Sequence, residues 1–187
     1  MLLLYLAWVL LVGANPSNSP QEKSVFSGNK GRIHFISDAP LEHIEAKSDE
    51  LSGGADTETR GVSFQLRITS FTGFNSALQR EHFNENYMES DVFPTATFNG
   101  KIIDDVDLSK NGTYNVRVKG MLSIHGVAME RIISGKVIVN NNTMIVESTF
   151  KVLLADHNIT IPKIVDMKIA KEITVEVKID LTRNNSD

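Results

Sequence analysis

The stretch Ile173-Thr174-Val175-Glu176-Val177-Lys178-Ile179-Asp180-Leu181 alternates apolar and polar side chains along its whole length. Alternation with a period of two places one set of side chains on each face of a β-strand. The same pattern predicts about eight strands in an all-β chain. Besides the stretch quoted, the predicted strands are residues 32–37, 43–46, 62–69, 95–102, 114–119, 131–139 and 144–154.

The connections between these segments are short and rich in turn residues. Ser52-Gly53-Gly54 and Lys110-Asn111-Gly112 are predicted turns, and Asn140-Asn141-Asn142 is a predicted tight hairpin. Short connections favour antiparallel neighbours, because a parallel crossover needs about a dozen residues or more. Antiparallel strands can stack as a sandwich or close into a barrel, which removes exposed edges. The pattern does not decide between a sandwich and a barrel. It also does not decide whether the interior is filled or hollow.

One segment, residues 76–91 (SALQREHFNENYMESD), breaks the alternation. Ser76 is a candidate N-cap, with Gln79 three residues later as in a capping box. Pro94 lies beyond the point where a helix must have ended. We therefore predict one helix over about residues 76–90, between two strands. The side chains that fall at helical spacing are Leu78, His82, Phe83 and Tyr87.

The N-terminus predicts export. Residues 1–14 (MLLLYLAWVLLVGA) are apolar and uncharged, and they fall short of the about 20 residues that a membrane-spanning helix needs. They fit the apolar region of a signal peptide, although no Lys or Arg precedes it. The alternative is a strand or helix of the folded protein. We predict a signal peptide at 1–14, a flexible leader at 15–23, a barrel domain at 24–183 and a tail at 184–187, in a periplasmic or secreted protein.

The composition narrows the functional classes. The chain has 187 residues, enough for one domain, and its net charge of -4 argues against a nucleic-acid partner. It has no cysteine, which excludes disulfides, thiolate nucleophiles and cysteine zinc sites. No histidine falls in a His-x-His or His-Glu-x-x-His pattern, although His43 and Glu45 could share a strand face. We therefore predict no metal and no cofactor.

Catalysis is also not predicted. The nucleophile motif Gly-x-Ser-x-Gly is absent, and Ser123 and His125 have no acid obviously placed with them. His125 precedes Gly126, and we expect it to fix a turn through hydrogen bonds. An enzyme acting on a lipid held inside the barrel stays as the alternative.

Three segments in order resemble the YceI-like family of polyisoprenoid-binding, lipocalin-like proteins. They are Ser70-Phe71-Thr72-Gly73 followed by Arg80-Glu81-His82-Phe83, then Phe93-Pro94-Thr95-Ala96-Thr97-Phe98, then the stretch from Val118 to Val127 (VKGMLSIHGV). The resemblance covers roughly residues 30 to 183. The family often has Arg-Asp-x-His where this chain has Arg80-Glu81-His82, a departure that concerns the ligand more than the fold.

The resemblance implies an eight-stranded antiparallel lipocalin-like barrel whose lumen holds a polyisoprenoid or similar long-chain lipid, for sequestration or transport. It leaves open whether the protein is a monomer or a homodimer. The alternative is a filled barrel that acts in a stress response or binds proteins, without a lipid. The predicted ligand-binding residues are Phe64, Leu66, Ile68, Phe71, Leu78, His82, Phe83, Tyr87, Phe98, Leu122 and Ile124.

These residues have two roles in the prediction. Those on strands would line the lipid channel, or else pack together as a dry core. His82 would face the barrel mouth with Phe83 and Tyr87 and bind a headgroup, or else cap a backbone group. Three further residues are predicted inside the barrel without ligand contact: Tyr114, Val116 and Val118.

Overall fold

The computed structural model describes residues 24–184, which form a closed barrel of eight antiparallel strands. Each strand pairs with the next along the chain, and the last pairs with the first. The predicted fold class is therefore confirmed. The predicted signal peptide, the leader and residues 185–187 lie outside the described residues. The strands are β1 Val25–Asp38, β2 His43–Asp56, β3 Gly61–Arg67, β4 Thr95–Ile102, β5 Gly112–Ile124, β6 Val127–Asn140, β7 Thr143–Leu153 and β8 Glu172–Arg183.

The predicted turn at Ser52-Gly53-Gly54 is wrong. These residues lie within β2, where Ser52 pairs with Gln65 and Gly53 with Phe64 of β3. A Cβ atom on Gly53 would overlap the Phe64 ring and the backbone of β3. The glycine is needed because two strands approach each other closely, which is the other common reason for glycine inside a strand.

Gly53→Ala is expected to lower the free energy of unfolding by about 1–3 kcal/mol, because the added methyl group forces β2 and β3 apart. Urea denaturation measures the effect. Gly61→Ala is the matched control, since the nearest atom to its added Cβ is Thr59 Oγ1 at 3.2 Å. Equal stability of the two variants would contradict the close-approach argument.

The other two predicted turns are present. The turn containing Lys110 and Asn111 leads into β5, and Asn141 adopts a left-handed conformation (φ 50°) in the hairpin between β6 and β7. Residues 68 and 69, which we predicted to continue a strand, instead begin a 3-10 turn, Ile68–Ser70, after β3 ends at Arg67.

The helix begins as predicted and ends early. Ser76 Oγ accepts a hydrogen bond from the Gln79 amide at 3.1 Å, and α1 runs over Ala77–His82. A π-helical turn, Phe83–Tyr87, continues it, and Glu89 (φ 43°) takes the chain out of the helical conformation, short of the predicted end at residue 90. No helix within residues 24–184 is long and apolar enough to cross a membrane.

The two ends of the barrel differ. At one end, four fully buried side chains close the interior, and each is at most 1% exposed: Phe26, Leu108, Met144 and Leu181. At the other end lie α1, its π-helical turn and the connection between β7 and β8, whose 3-10 turn Lys163–Val165 leaves no side chain buried. The barrel is thus closed at the end that holds these four side chains and open at the end beside the helix.

Strands β6 and β7 separate toward the open end. Their backbone pairing runs from Asn140↔Thr143 to Gly135↔Ser148. Beyond that point side chains join the two walls. Arg131 donates a hydrogen bond to the Lys151 carbonyl oxygen at 2.8 Å and lies 3.5 Å from Asp156. The barrel wall here depends on side chains rather than on a backbone ladder.

Arg131→Met is expected to lower the free energy of unfolding by about 1.5–3 kcal/mol. It removes charge-assisted hydrogen bonds from the half-buried seam between β6 and β7, where these strands are joined by side chains. Arg32→Met is the matched control, since its ion pair with Asp49 is about two-thirds exposed and should contribute less than about 1 kcal/mol. Urea denaturation of both variants checks the difference. A control as damaging as the seam variant would refute the argument.

Candidate ligand-binding site

The barrel encloses a cavity of about 570 Å³ lined mainly by aliphatic and aromatic side chains from its strands. This lies within the range of about 300–1,000 Å³ that is usual for small-molecule sites. All eleven residues predicted to bind the ligand lie in the cavity wall; contact with a ligand stays a prediction for each of them. They are Phe64, Leu66, Ile68, Phe71, Leu78, His82, Phe83, Tyr87, Phe98, Leu122 and Ile124.

Strand alternation explains why so many of these residues share one surface. On β5, Val116 and Leu122 are buried while Arg117 and Met121 are exposed, so that even-numbered positions face inward. Phe64 and Phe98 lie opposite each other in the pairing of β3 with β4. Both are only partly buried, because they border the hollow rather than a packed core.

Four phenylalanines form a cluster beside the helix. The Phe35 ring lies 5.1 Å from that of Phe71 and 5.4 Å from that of Phe83, and Phe74 and Phe83 are 5.1 Å apart. All four line the cavity. Edge-to-face and offset arrangements at these distances are favourable for aromatic rings. The cluster attaches α1 and its π-helical turn to the open end of the barrel.

The sequence analysis missed part of the lining. Phe35 and Phe74 were not predicted, although Phe35 alternates with Ile33 on β1 and that pattern could have identified it. Val116 and Val118, which we predicted inside the barrel without ligand contact, also line the cavity, so that their lack of contact with a ligand stays a prediction. Other lining residues not predicted include Phe150, Val165, Lys168 and Ile169.

Tyr114, the third residue predicted inside the barrel without ligand contact, lies apart from the residues that line the cavity. Its hydroxyl donates a hydrogen bond to the Lys110 carbonyl oxygen at 2.9 Å in the turn before β5, near the closed end. No alternation pattern could separate Tyr114 from Val116, because both occupy inward positions of one strand. They differ only in their distance from the closed end of the barrel.

The mouth of the cavity carries the polar groups of the helix. The His82 side chain is exposed and makes no hydrogen bond within residues 24–184, which argues against the alternative that it caps a backbone group. Gln79 Nε2 donates a hydrogen bond to Glu42 Oε1 at 2.9 Å and so joins the helix to the loop before β2. Burial raises the pKa of the Tyr87 phenol, which therefore stays neutral at physiological pH.

His125 has the structural role that the sequence predicted. It adopts a left-handed conformation (φ 51°) in the turn between β5 and β6, next to Gly126. Its Nδ1 lies 3.0 Å from the His157 carbonyl oxygen, and its Nε2 lies 2.7 Å from a Glu89 carboxylate oxygen. The ring thus ties the turn to the end of the helical segment and to the chain after β7.

His43, the remaining histidine that the sequence singled out, lies on the outer face of the barrel near His34. His43 Nε2 and Glu45 Oε2 are 3.9 Å apart on β2, and His34 Nε2 lies 3.1 Å from the same carboxylate oxygen. Within residues 24–184 no three histidine or acidic side chains are arranged to hold a metal ion. His34 and His43 instead lie beside the Glu45 carboxylate at the barrel surface.

A closed antiparallel barrel with a ligand-sized apolar lumen, open beside one helix, defines a lipocalin-like class of protein. The sequence profile of the YceI-like domain matches residues 22–181. The chain belongs to the YceI-like family, as the sequence motifs indicated. No curated protein matches the chain.

Solved structures share the fold at low sequence identity. A polyisoprenoid binding domain from Saccharophagus degradans, implicated in plant cell wall breakdown, has a TM-score of 0.71 at 15% identity, covering 87% of this chain and 100% of its own. Burkholderia cenocepacia BcnA has a TM-score of 0.65 at 18% identity, covering 81% and 96%. The Campylobacter jejuni YCEI protein has a TM-score of 0.59 at 11% identity, covering 97% and 100%.

Proposed function

We propose that this protein binds the apolar tail of a polyisoprenoid or similar long-chain amphiphile in its barrel lumen, and so sequesters or transports it. The observation that carries the proposal is the apolar cavity of about 570 Å³, open beside α1. The name of the Saccharophagus degradans domain, a polyisoprenoid binding domain of the same fold, supports the ligand class.

The energetics favour tail binding without polar contacts. A tail that buries about 400 Å² of apolar surface gains about 10 kcal/mol at 25 cal/mol per Å². Loss of translational and rotational freedom costs about 4 kcal/mol or more. The balance permits a dissociation constant in the micromolar range or tighter. Such a lumen selects tail length and shape more strongly than headgroup.

A headgroup would meet the polar side chains at the mouth. His82 and Lys168 line the cavity there and are exposed, and the neutral Tyr87 phenol lines it from the π-helical turn. Within residues 24–184 the Tyr87 hydroxyl makes no hydrogen bond, so it can donate one to a ligand oxygen without losing a protein partner. We assign these three side chains to the headgroup.

Export and the absence of catalysis are further parts of the proposal. The apolar segment 1–14 supports a periplasmic or secreted carrier. Binding rather than catalysis fits a lumen lined mainly by apolar side chains, in which the ionisable side chains lie at the mouth rather than along the path of a tail. The filled-barrel alternative predicts an interior without space for a ligand, and the cavity volume argues against it.

Lipid analysis of the purified protein tests the proposal. The chain is expressed with residues 1–14, located by cell fractionation and purified without detergent. Native mass spectrometry of the intact protein is combined with mass spectrometry of its organic extract. We expect one long-chain species per protein in the exported fraction. A mass without ligand that persists after incubation with isoprenoid quinones and fatty acids would refute lipid binding.

A further inference from the structure

The mouth of the cavity is surrounded by exposed apolar side chains, which we call the apolar rim: Leu41, Leu78, Ile164 and Met167. Their exposed fractions are 69%, 57%, 91% and 48%. Exposed apolar side chains scattered singly are ordinary on protein surfaces, whereas a contiguous group marks an interaction site. The four residues can therefore form an interaction site only if they lie close together on the surface.

Two hydrogen bonds bring together the three segments that carry these residues. The Leu41 amide donates a hydrogen bond to the Met167 carbonyl oxygen at 2.9 Å, which joins the loop before β2 to the connection before β8. The Glu42–Gln79 hydrogen bond, also 2.9 Å, joins that loop to the helix carrying Leu78. All three segments also contribute to the cavity wall, so the rim surrounds its opening.

The rim has a basic side. Lys163, Lys168 and Lys171 lie in the connection before β8, with Asp166 as the one acidic residue among them. None of these lysines forms a salt bridge within residues 24–184, whereas several lysines on the strands, such as Lys178, pair with carboxylates. Exposed lysines beside exposed aliphatic side chains are the combination by which proteins bind the surface of an anionic bilayer.

We propose that the apolar rim and its three lysines dock the open end of the barrel onto an anionic phospholipid bilayer. Ile164 and Met167 enter the interface between headgroups and acyl chains, while Lys163 and Lys171 contact lipid phosphates and Lys168, at the cavity mouth, adds to the positive charge of this side. The acidic side chains of the helix, Glu81 and Glu85, favour an orientation in which the basic connection is nearest the bilayer. The cavity mouth then faces the membrane.

A second copy of this chain fits the surface less well. A two-fold dimer whose axis passes through the basic side of the rim would bring two copies of the lysine cluster together, and like charges across an interface oppose association. A bilayer with anionic headgroups instead supplies the opposite charge. Docking follows from the rim itself and does not require a ligand in the lumen, so its test is separate from the lipid-extraction experiment.

Vesicle flotation of the purified chain tests the proposal. We expect flotation with vesicles of phosphatidylcholine and phosphatidylglycerol, weakened by salt, and little flotation with phosphatidylcholine alone. Lys163→Gln with Lys171→Gln should weaken binding roughly tenfold or more. Ile164→Ser with Met167→Ser should also abolish flotation, because it removes the inserted side chains.

Matched controls use exposed side chains of the same types on the barrel wall. Lys30→Gln with Lys101→Gln replaces two exposed lysines that form no salt bridge within residues 24–184, and Ile132→Ser replaces an aliphatic side chain that is 58% exposed on β6. These variants should float like the parent chain, and circular dichroism should show every variant folded. Absence of flotation with anionic vesicles, or equal losses in rim and wall variants, would overturn the proposal. A dimer that Ile164→Ser dissociates would assign the rim to a second copy instead.

Discussion

Phe98→Glu is expected to remove the bound lipid and to lower the free energy of unfolding by about 3 kcal/mol or more. Phe98 lines the cavity from β4 and packs against the buried cluster of Leu122, Val152 and Val175. A carboxylate in its place faces apolar walls and loses hydration. Urea denaturation and lipid mass spectrometry of the same preparation measure the two effects.

The stability of this variant should also depend on pH. Apolar surroundings raise the pKa of a carboxyl group above its unfolded value of about 4.3. The folded state then binds a proton that the unfolded state has released. The loss of stability relative to the parent protein should therefore be smallest below about pH 4 and should grow as the pH rises to about 8.

Asn99→Glu is the control, because Asn99 is the exposed neighbour of Phe98 on the outer face of β4. Its side-chain oxygen accepts a hydrogen bond from Ser63 Oγ at 2.7 Å, an interaction that a carboxylate can keep. This variant should retain both stability and lipid. If Phe98→Glu kept its lipid while folded, the assignment of Phe98 to the lumen would be wrong.

The sequence predicted the strands well where one face is inside the barrel and the other is in water. The alternation at residues 173–181 corresponds to β8, with Val175, Ile179 and Leu181 buried and the charged residues between them exposed. It fails in β2, where Gly53 and Gly54 carry no side chain to report the pattern. Glycine occupies both positions because neighbouring strands approach closely there, and that approach depends on residues far away in sequence.

The alternation of apolar and polar residues could not predict that the barrel interior contains a cavity. Inward positions alternate in the same way whether the interior is filled or empty, so Val118 and Phe150 could not be assigned to a cavity from spacing alone. The resemblance to the YceI-like family supplied the barrel and the open lumen as expectations. The seam between β6 and β7 has no local signature either, because it depends on where Arg131 meets Lys151 and Asp156.

Val118→Trp separates a ligand-binding lumen from a packed core, and it is expected to weaken lipid binding roughly 100-fold. Val118 faces the cavity from β5 and is only partly buried, so an indole ring can extend into the space that a lipid tail would occupy. Because that space is hollow, the free energy of unfolding should change by less than about 1 kcal/mol, whereas overpacking a filled core costs about 1–3 kcal/mol.

Met121→Trp is the matched control on the same strand, since Met121 is 43% exposed on the outer face. Titration with a fluorescent long-chain probe measures affinity, and urea denaturation measures stability. A Val118→Trp protein as stable as the control but unable to bind the probe would place the ligand in the lumen. If it were destabilised by 1–3 kcal/mol or more and kept the affinity of the parent chain, the interior would be a core, and the probe would bind elsewhere on the protein.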